Sequence, residues 1–358
     1  MKRLAALLLL PALLLSSAIN AAPAAAQGVH AERLDAFLSQ MEDSNAGIGS
    51  VSVFRNGEEV YARRFGQKQL AGVTCSADTK YQIASVTKMV TAILAFKLIE
   101  EGRLSLDDRL STWFPDMPSA KVITVGNLLG HTSGLGNFAI KDGALWVVDK
   151  VSQPAILDEI RTQGVSFAPG QGTAYSNSAY LLLRMILEKV SGRSYAEMVA
   201  QDIAAPLGLR NFVSAGVPQP DTFLSYTYAG EWTPIKDIDY ANVVGVGDIA
   251  GTPQDLSLLI TGLFQQRILR STSLQQMIPA AGEGWGRGLA AFPYGQRRFL
   301  GHGGDVLGSH SRVIYNPQDG TAIAYSTNGE RIPTNDVLAT LVGIVYGEDV
   351  TFPTVSTP

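Results

Sequence analysis

Cysteine and histidine are scarce. The 358 residues include one Cys and four His. One thiol closes no internal disulfide, and so few Cys and His leave no Cys/His zinc cluster. Charge is sparse too, at 17%, and the formal net charge of −4 argues against the basic face of a nucleic-acid binder. There is no G-x-S-x-G elbow, no H-E-x-x-H and no P-loop. No internal repeat or low-complexity segment follows the first 26 residues. What remains is ordinary globular composition, 46% hydrophobic with 36 Gly and 17 Pro, which excludes a disordered or collagen-like chain. The length supports one large domain or two intimately packed ones.

The start of the chain reads as a secretory signal. Lys2 and Arg3 precede an apolar run, Leu4 to Leu15, and small residues lead to Ala24-Ala25-Ala26, with a cut expected after Ala26. The run falls short of the roughly 20 apolar residues of a membrane span, and no Cys near the cut offers a lipid anchor. The expectation is a periplasmic or secreted protein with no stable membrane anchor after cleavage. Cys75 is then unpaired and reads as a small buried hydrophobe.

Strand patterns lie at both ends of the remaining chain. Residues 48–54 alternate like a strand, Asn56-Gly57 is a hairpin turn, and Glu58 to Phe65 returns. Val86 to Glu101 predicts a helix apolar nearly all round, stopped by Gly102. Helical patterns and loops dominate from about 103 to 275, with helices at 179–190, after the capping box Ser194–Glu197, and from Thr252-Pro253. Residues 214–250 read as long loops. Strands return from Arg298, through Ser311–Tyr315 and Thr321–Ser326, before a last helix over Thr334–Tyr346. The simplest closure is an α+β fold. One antiparallel sheet is built from both ends (about 27–102 and 276–350) and flanked by helices, with an inserted, mostly helical lobe (about 103–275) beside it.

Three short motifs could carry chemistry. In Ser85-Val-Thr-Lys88, positions i and i+3 share a helix face, so the amine can reach the hydroxyl. Burial would lower the lysine pKa and make it a base for a serine nucleophile. The plain alternative is a helix cap followed by a solvated lysine. In Tyr175-Ser-Asn177 a phenol and an amide share one loop; the plain alternative is a half-buried Tyr before an Asn cap. In Gly301-His302-Gly303-Gly304-Asp305 a glycine-rich backbone before a strand lets a ligand approach the main chain; the plain alternative is a turn with an incidental His.

In the order S-x-x-K, Y-x-N, H-x-G, the chain resembles the penicillin-recognising serine hydrolases: class C β-lactamases, D-Ala-D-Ala carboxypeptidases and the esterases that share their fold. Leu128–Leu135, Phe167–Gly170 and Gly247–Leu256 also look like that family's framework, and the resemblance spans about residues 30–346. It implies a β-lactamase/transpeptidase-like fold and no cofactor or metal. It also implies roles. Ser85 is acylated, and Lys88 and Tyr175 share the proton work, with the division between them left open. Asn177 orients substrate, and His302 bonds near the leaving group or the Tyr175 hydroxyl. The backbone N–H groups of Ser85 and Asp305, beside Gly304, form an oxyanion hole.

One departure shifts the expected substrate. Gly303 stands where relatives carry Thr, and Asp305 is an anion beside the proposed hole. Groups that would hold a substrate carboxylate are scarce in this motif, and Arg297 and Arg298 read as solvated strand-end cations. The expectation is therefore hydrolysis of small ester or uncharged amide substrates. A D-Ala-D-Ala carboxypeptidase or β-lactamase, acting on peptidoglycan peptides or β-lactams, is the second reading, and a non-catalytic binding member the third. His131 reads as a brace at a helix end. Val243–Ala250 mimics a dinucleotide fingerprint but lacks the following helix and acid. Tyr226, Tyr228, Trp232 and Tyr240 are candidates for the cleft mouth.

Overall fold

The computed structural model describes residues 29–355, apart from 71, 218 and 220. The signal-like segment lies outside the described residues.

Strand β1 (Gly47–Arg55) and strand β2 (Glu58–Phe65) form the expected hairpin. Asn56 and Gly57 both have positive φ, 51° and 91°, as a tight two-residue turn between twisted strands requires. From the other end of the chain come β3 (Ala290–Tyr294), β4 (Arg297–Val306), β5 (Ser309–Asn316) and β6 (Thr321–Glu330). All neighbours are antiparallel, in the order β2-β1-β6-β5-β4-β3. The sheet is thus closed by β1 and β6, which bring residues 47–55 against 321–330.

Two layers of helices cover it. Helix α1 (Ala31–Asp43) buries Leu34, Phe37, Leu38 and Met41, an i, i+3, i+4, i+7 stripe. With the last helix it packs on one face, in a core shared with Val51, Val53, Ile323 and Tyr325. The other face meets the larger core, which includes α2 (Thr87–Glu100), α3 (Asn177–Ser191) and α4 (Pro253–Phe264). Helix α5 (Thr334–Val345) is that last helix. In α2 every residue from Thr87 to Phe96 is buried, so it is a central rod with no solvent face. Gly102, at φ 70°, lets the chain turn away beyond its end.

Several sequence expectations need correction. A 3₁₀ turn, Ala84–Val86, precedes α2, so Ser85 lies on that turn and not in the helix. Ser176, not Asn177, caps α3, accepting from the Ala179 N–H. The glycine-rich motif is no turn before a strand; it is the second half of β4. Residues 214–250 are not all loop, since Tyr226–Tyr228 and Trp232–Pro234 pair and Tyr240–Val243 is a 3₁₀ turn. Cys75 is half-buried against a small cluster containing Leu70 and Tyr81. Among the described residues no helix is long and apolar enough to cross a membrane.

Candidate active site

Ser85 sits between α2 and β4. Ala84, just before it, has φ 46°, a left-handed conformation that an L side chain adopts only under constraint. The close approach of β4 supplies that constraint. A Cβ on Gly304 would stand 2.2 Å from the Ile83 carbonyl oxygen and 2.7 Å from the Ser85 backbone nitrogen. Glycine is required there because two main chains meet. Pairing of β4 with β3 ends at Gly301, so His302 to Asp305 pair with β5 alone and leave one strand edge open toward Ser85.

The Lys88 Nζ lies 3.0 Å from Ser85 Oγ and donates to the Val246 carbonyl at 2.8 Å. Its side chain has no exposed surface and, among the described residues, no carboxylate partner. Burial therefore holds the amine well below the ordinary lysine range. A neutral amine keeps a lone pair that can take the serine proton. The Val246 carbonyl is placed by the 245–249 loop, the stretch that mimics a dinucleotide fingerprint. Asp248 shapes this loop, accepting from the Gly245 N–H at 2.7 Å and the Ala215 N–H at 2.9 Å. Thr91 of α2 donates to the Gly245 carbonyl at 2.7 Å.

Tyr175 lies over the amine, its ring centroid 4.9 Å from Lys88 Nζ. More than a third of the residue faces the cleft, while burial of its inner end pushes the phenol pKa up; a bond to the Ser85 hydroxyl opposes that rise and Asp305 adds to it. His131 fixes the loop that carries it. Its Nδ1 accepts from the Ser176 N–H at 3.2 Å, and its carbonyl accepts from the Ala174 N–H at 2.9 Å. Its ring packs on Tyr175 at 4.5 Å between centroids. Burial pushes the imidazole down to about 3, so Nδ1 stays an acceptor. His131 is thus the brace of the Tyr175 loop. The framework stretches clasp the same region, with the Gly170 N–H on the Thr132 carbonyl at 2.8 Å and the Ser166 N–H on the Gly134 carbonyl at 2.9 Å.

The remaining predicted residues reach the same cleft, of about 520 Å³. Asn177 donates through Nδ2 to Asn137 Oδ1 at 2.9 Å. His302 is buried, and its Nδ1 lies 2.6 Å from the Gly303 carbonyl. Its Nε2 has no partner among the described residues, so the expected bond to the Tyr175 hydroxyl does not form. Burial holds this imidazole, too, down at about 3. Asp305 lines the cleft, and Gly304 forms the close crossing behind it.

Of the lining residues that the sequence does not single out, two bear on the chemistry. Trp285, 39% exposed, stands 5.4 Å from the Tyr175 ring and 5.5 Å from His302. It takes the place assigned to Tyr226, Tyr228, Trp232 and Tyr240, none of which lines the cleft. Arg312 is the second. Its position opposite Gly303 on β5 brings a guanidinium into the motif that lacks a cation of its own. Arg297 and Arg298 lie elsewhere; the first pairs with Glu348 and the second donates to the Pro279 carbonyl at 2.8 Å. Among the described residues no group of His, Cys, Asp and Glu could hold a metal. A smaller hollow, of about 230 Å³ beside Arg64, Tyr81 and Gln254, includes none of these groups.

A buried amine on a serine, at the junction of an antiparallel sheet and a helical layer, defines a β-lactamase/transpeptidase-like fold. Comparison with known proteins agrees: residues 34–346 match the Beta-lactamase family, and the chain belongs to that family. It is 33% identical to Esterase EstB of Burkholderia gladioli over 227 residues, 58% of this chain and 57% of the relative. It is 26% identical to a Teichoic acid D-alanine hydrolase of Staphylococcus aureus over 62% of this chain and 55% of the relative. The chain thus spans a little over half the length of these curated relatives. Among solved structures it resembles the D-amino acid amidase from Ochrobactrum anthropi SV3 complexed with L-phenylalanine (TM-score 0.74, 26% identity, covering 88% of this chain and 98% of that one). It also resembles the octameric penicillin-binding protein homologue from Pyrococcus abyssi (TM-score 0.77, 26% identity, covering 89% and 78%).

Proposed function

We propose that this protein is a serine hydrolase that cleaves ester or amide bonds of small substrates through an acyl-enzyme on Ser85. The observation that carries this reading is the contact between Ser85 Oγ and a wholly buried, carboxylate-free Lys88 amine. The serine proton passes to that amine, directly or through Tyr175, as Oγ bonds to the substrate carbonyl carbon. The tetrahedral oxyanion is held by the backbone N–H groups of Ser85 and Asp305. The close crossing at Gly304 supports this pairing. Collapse breaks the bond to the leaving group, which takes the proton. Water then attacks the ester, and the serine recovers its proton. Asn177 orients the substrate, and His302 faces the leaving group. The relatives' names support the reaction class: an esterase, a D-alanine hydrolase and a D-amino acid amidase. A periplasmic or secreted location rests on the pattern of residues 1–26. We also propose a division into a sheet lobe (about 27–102 and 276–350) and a helical lobe (about 103–275), with Ser85 close to where the two would meet.

Arg312 favours a second reading, a carboxypeptidase or β-lactamase whose substrate carboxylate meets that guanidinium. Against it, NH1 is already engaged by Asp305 Oδ1, the Gly304 carbonyl and the Ser311 carbonyl, at 2.9–3.2 Å.

The test is hydrolysis of a short-chain p-nitrophenyl ester, a chromogenic cephalosporin and a D-Ala-D-Ala peptide in parallel, with mass spectrometry for acylation. We expect turnover of the ester and a covalent adduct on Ser85. Ser85→Ala should remove turnover by a thousandfold or more with the fold intact. Retained turnover in that variant would take Ser85 out of the mechanism.

A further inference from the structure

The cleft beside Ser85 has an unusual balance of open hydrogen-bonding groups. Asn177 Oδ1 is buried with no partner among the described residues. The orientation of this amide follows from its neighbour. Asn137 Oδ1 accepts from the Ala139 N–H at 3.2 Å, so the Asn177 atom that faces it at 2.9 Å must be the nitrogen, and the oxygen is left toward the cleft. His302 Nε2 is likewise buried and without a partner. At 2.6 Å from a carbonyl oxygen, Nδ1 must carry the proton, so in the neutral ring Nε2 is an acceptor. Two buried acceptors therefore wait for donors, and burying an acceptor unpaired is costly.

The charged groups point the same way. Asp305 and Arg312 are the charged side chains lining the cleft. Arg312 is buried, 8% exposed, with NH1 on three oxygens and Nε on Asn335 Oδ1 at 3.1 Å. The Asp305 side chain is 55% exposed. Its Oδ1 takes Arg312 and His310, at 3.0 and 2.8 Å, and Oδ2 has no partner among the described residues. Both side chains line the cleft, but Asp305 is 55% exposed against 9% for Arg312, so the carboxylate offers a ligand the larger charged surface. The exposed faces of Tyr175 and Trp285, 36% and 39%, flank the same space and suit a cation.

We infer that the cleft selects substrates bearing a protonated amine, such as aminoacyl esters or amides with a free amino group, with the Asp305 carboxylate as the charged anchor and Asn177 Oδ1 as a second acceptor. This rests on the hydrolase reading for the word substrate, but the selection is a binding property and can be measured without turnover. It departs from the sequence expectation of uncharged substrates: the anion that disfavours a substrate carboxylate favours an ammonium.

The experiment is calorimetric titration of the full chain carrying Ser85→Ala at pH 6.5. The probes are phenylalaninamide, N-acetylphenylalaninamide and N-succinylphenylalaninamide, each as both enantiomers. We expect one enantiomer of the free amine to bind at least tenfold tighter than its acetylated form, about 1.4 kcal/mol, and the succinylated form to bind weakest. Adding Asp305→Asn should bring free amine and acetylated form within about twofold of each other. Asp305→Glu should keep the preference, which separates charge from a general disturbance of the Arg312 and His310 contacts. No detectable binding of the amine, equal binding of amine and acetylated form, tighter binding of the succinylated form, or a preference that survives Asp305→Asn would each overturn the inference. Failure of the ester assay with this preference intact would instead remove the hydrolase reading and leave a cation-binding cleft.

Discussion

Two buried cations flank Ser85, and the molecule treats them in opposite ways. Lys88 has no exposed surface, one carbonyl and the serine for partners, and no carboxylate among the described residues. Arg312 is nearly as buried but is tied to Asp305 and two further carbonyls. Isolation holds the lysine well below its ordinary range, which favours the neutral base of the proposed mechanism; a guanidinium would keep its proton in the same place. Pairing instead ties the arginine to the strand edge that carries Asp305. The polar environment, more than burial itself, decides whether a buried cation becomes reactive or structural.

The sharpest way to break this contrast is Lys88→Arg. It puts a permanent charge in a site without a counter-ion, which costs several kcal/mol, and removes the base. We expect no turnover and a melting temperature lowered by ten degrees or more. Lys88→Met separates the two effects. Ester turnover should fall about a thousandfold, the scale of a lost general base, while thermal unfolding stays within a few degrees of the parent. A stable Lys88→Arg protein would show that the amine is not held neutral. Gly304→Ala tests the crossing behind Ser85. Its Cβ has no room beside the Ile83 carbonyl, so turnover should drop at least tenfold while urea unfolding shifts by about 1–3 kcal/mol. Arg312→Leu should destabilise by only about 1–2 kcal/mol in urea, because Asp305 is over half exposed and water replaces part of the lost contact.

The last effect is on pH dependence. His131 and His302 are held at about 3 in the folded protein, against 6.5 for the free group. Between those values the unfolded chain binds the protons, so the folded state loses stability as pH falls from 6.5 toward 3. Urea midpoints at pH 7 and pH 5 should differ in the parent, and the difference should shrink in His302→Asn. An unchanged slope in that variant would mean that His302 charges freely in the fold.

The sequence shows what local spacing and ordered motifs can show. Ser85 and Lys88 are three residues apart, so one turn joins them. The hairpin at Asn56-Gly57, the all-apolar α2 and the strands at both ends are likewise local patterns, and their sum is the observed sheet. Tyr175, Asn177 and His302 are recoverable because they occur in family order. Arg312 is not, since its contribution depends on strand register: it matters because Gly303 lies opposite it. Trp285 sits in a loop without periodicity. The carbonyl of Val246 has no side-chain signature at all. Helix α1, by contrast, is legible in the spacing of Leu34, Phe37, Leu38 and Met41.

The pairing of β1 with β6 has a consequence for how the protein is made. The first strand of the chain waits for the last, some 270 residues later. A ribosome must release almost the entire polypeptide before the middle of the sheet can close, and contacts so far apart in sequence form slowly. Until then the β1–β2 hairpin offers an unsealed edge, so a chain cut short before residue 321 should aggregate and not persist as a smaller folded unit.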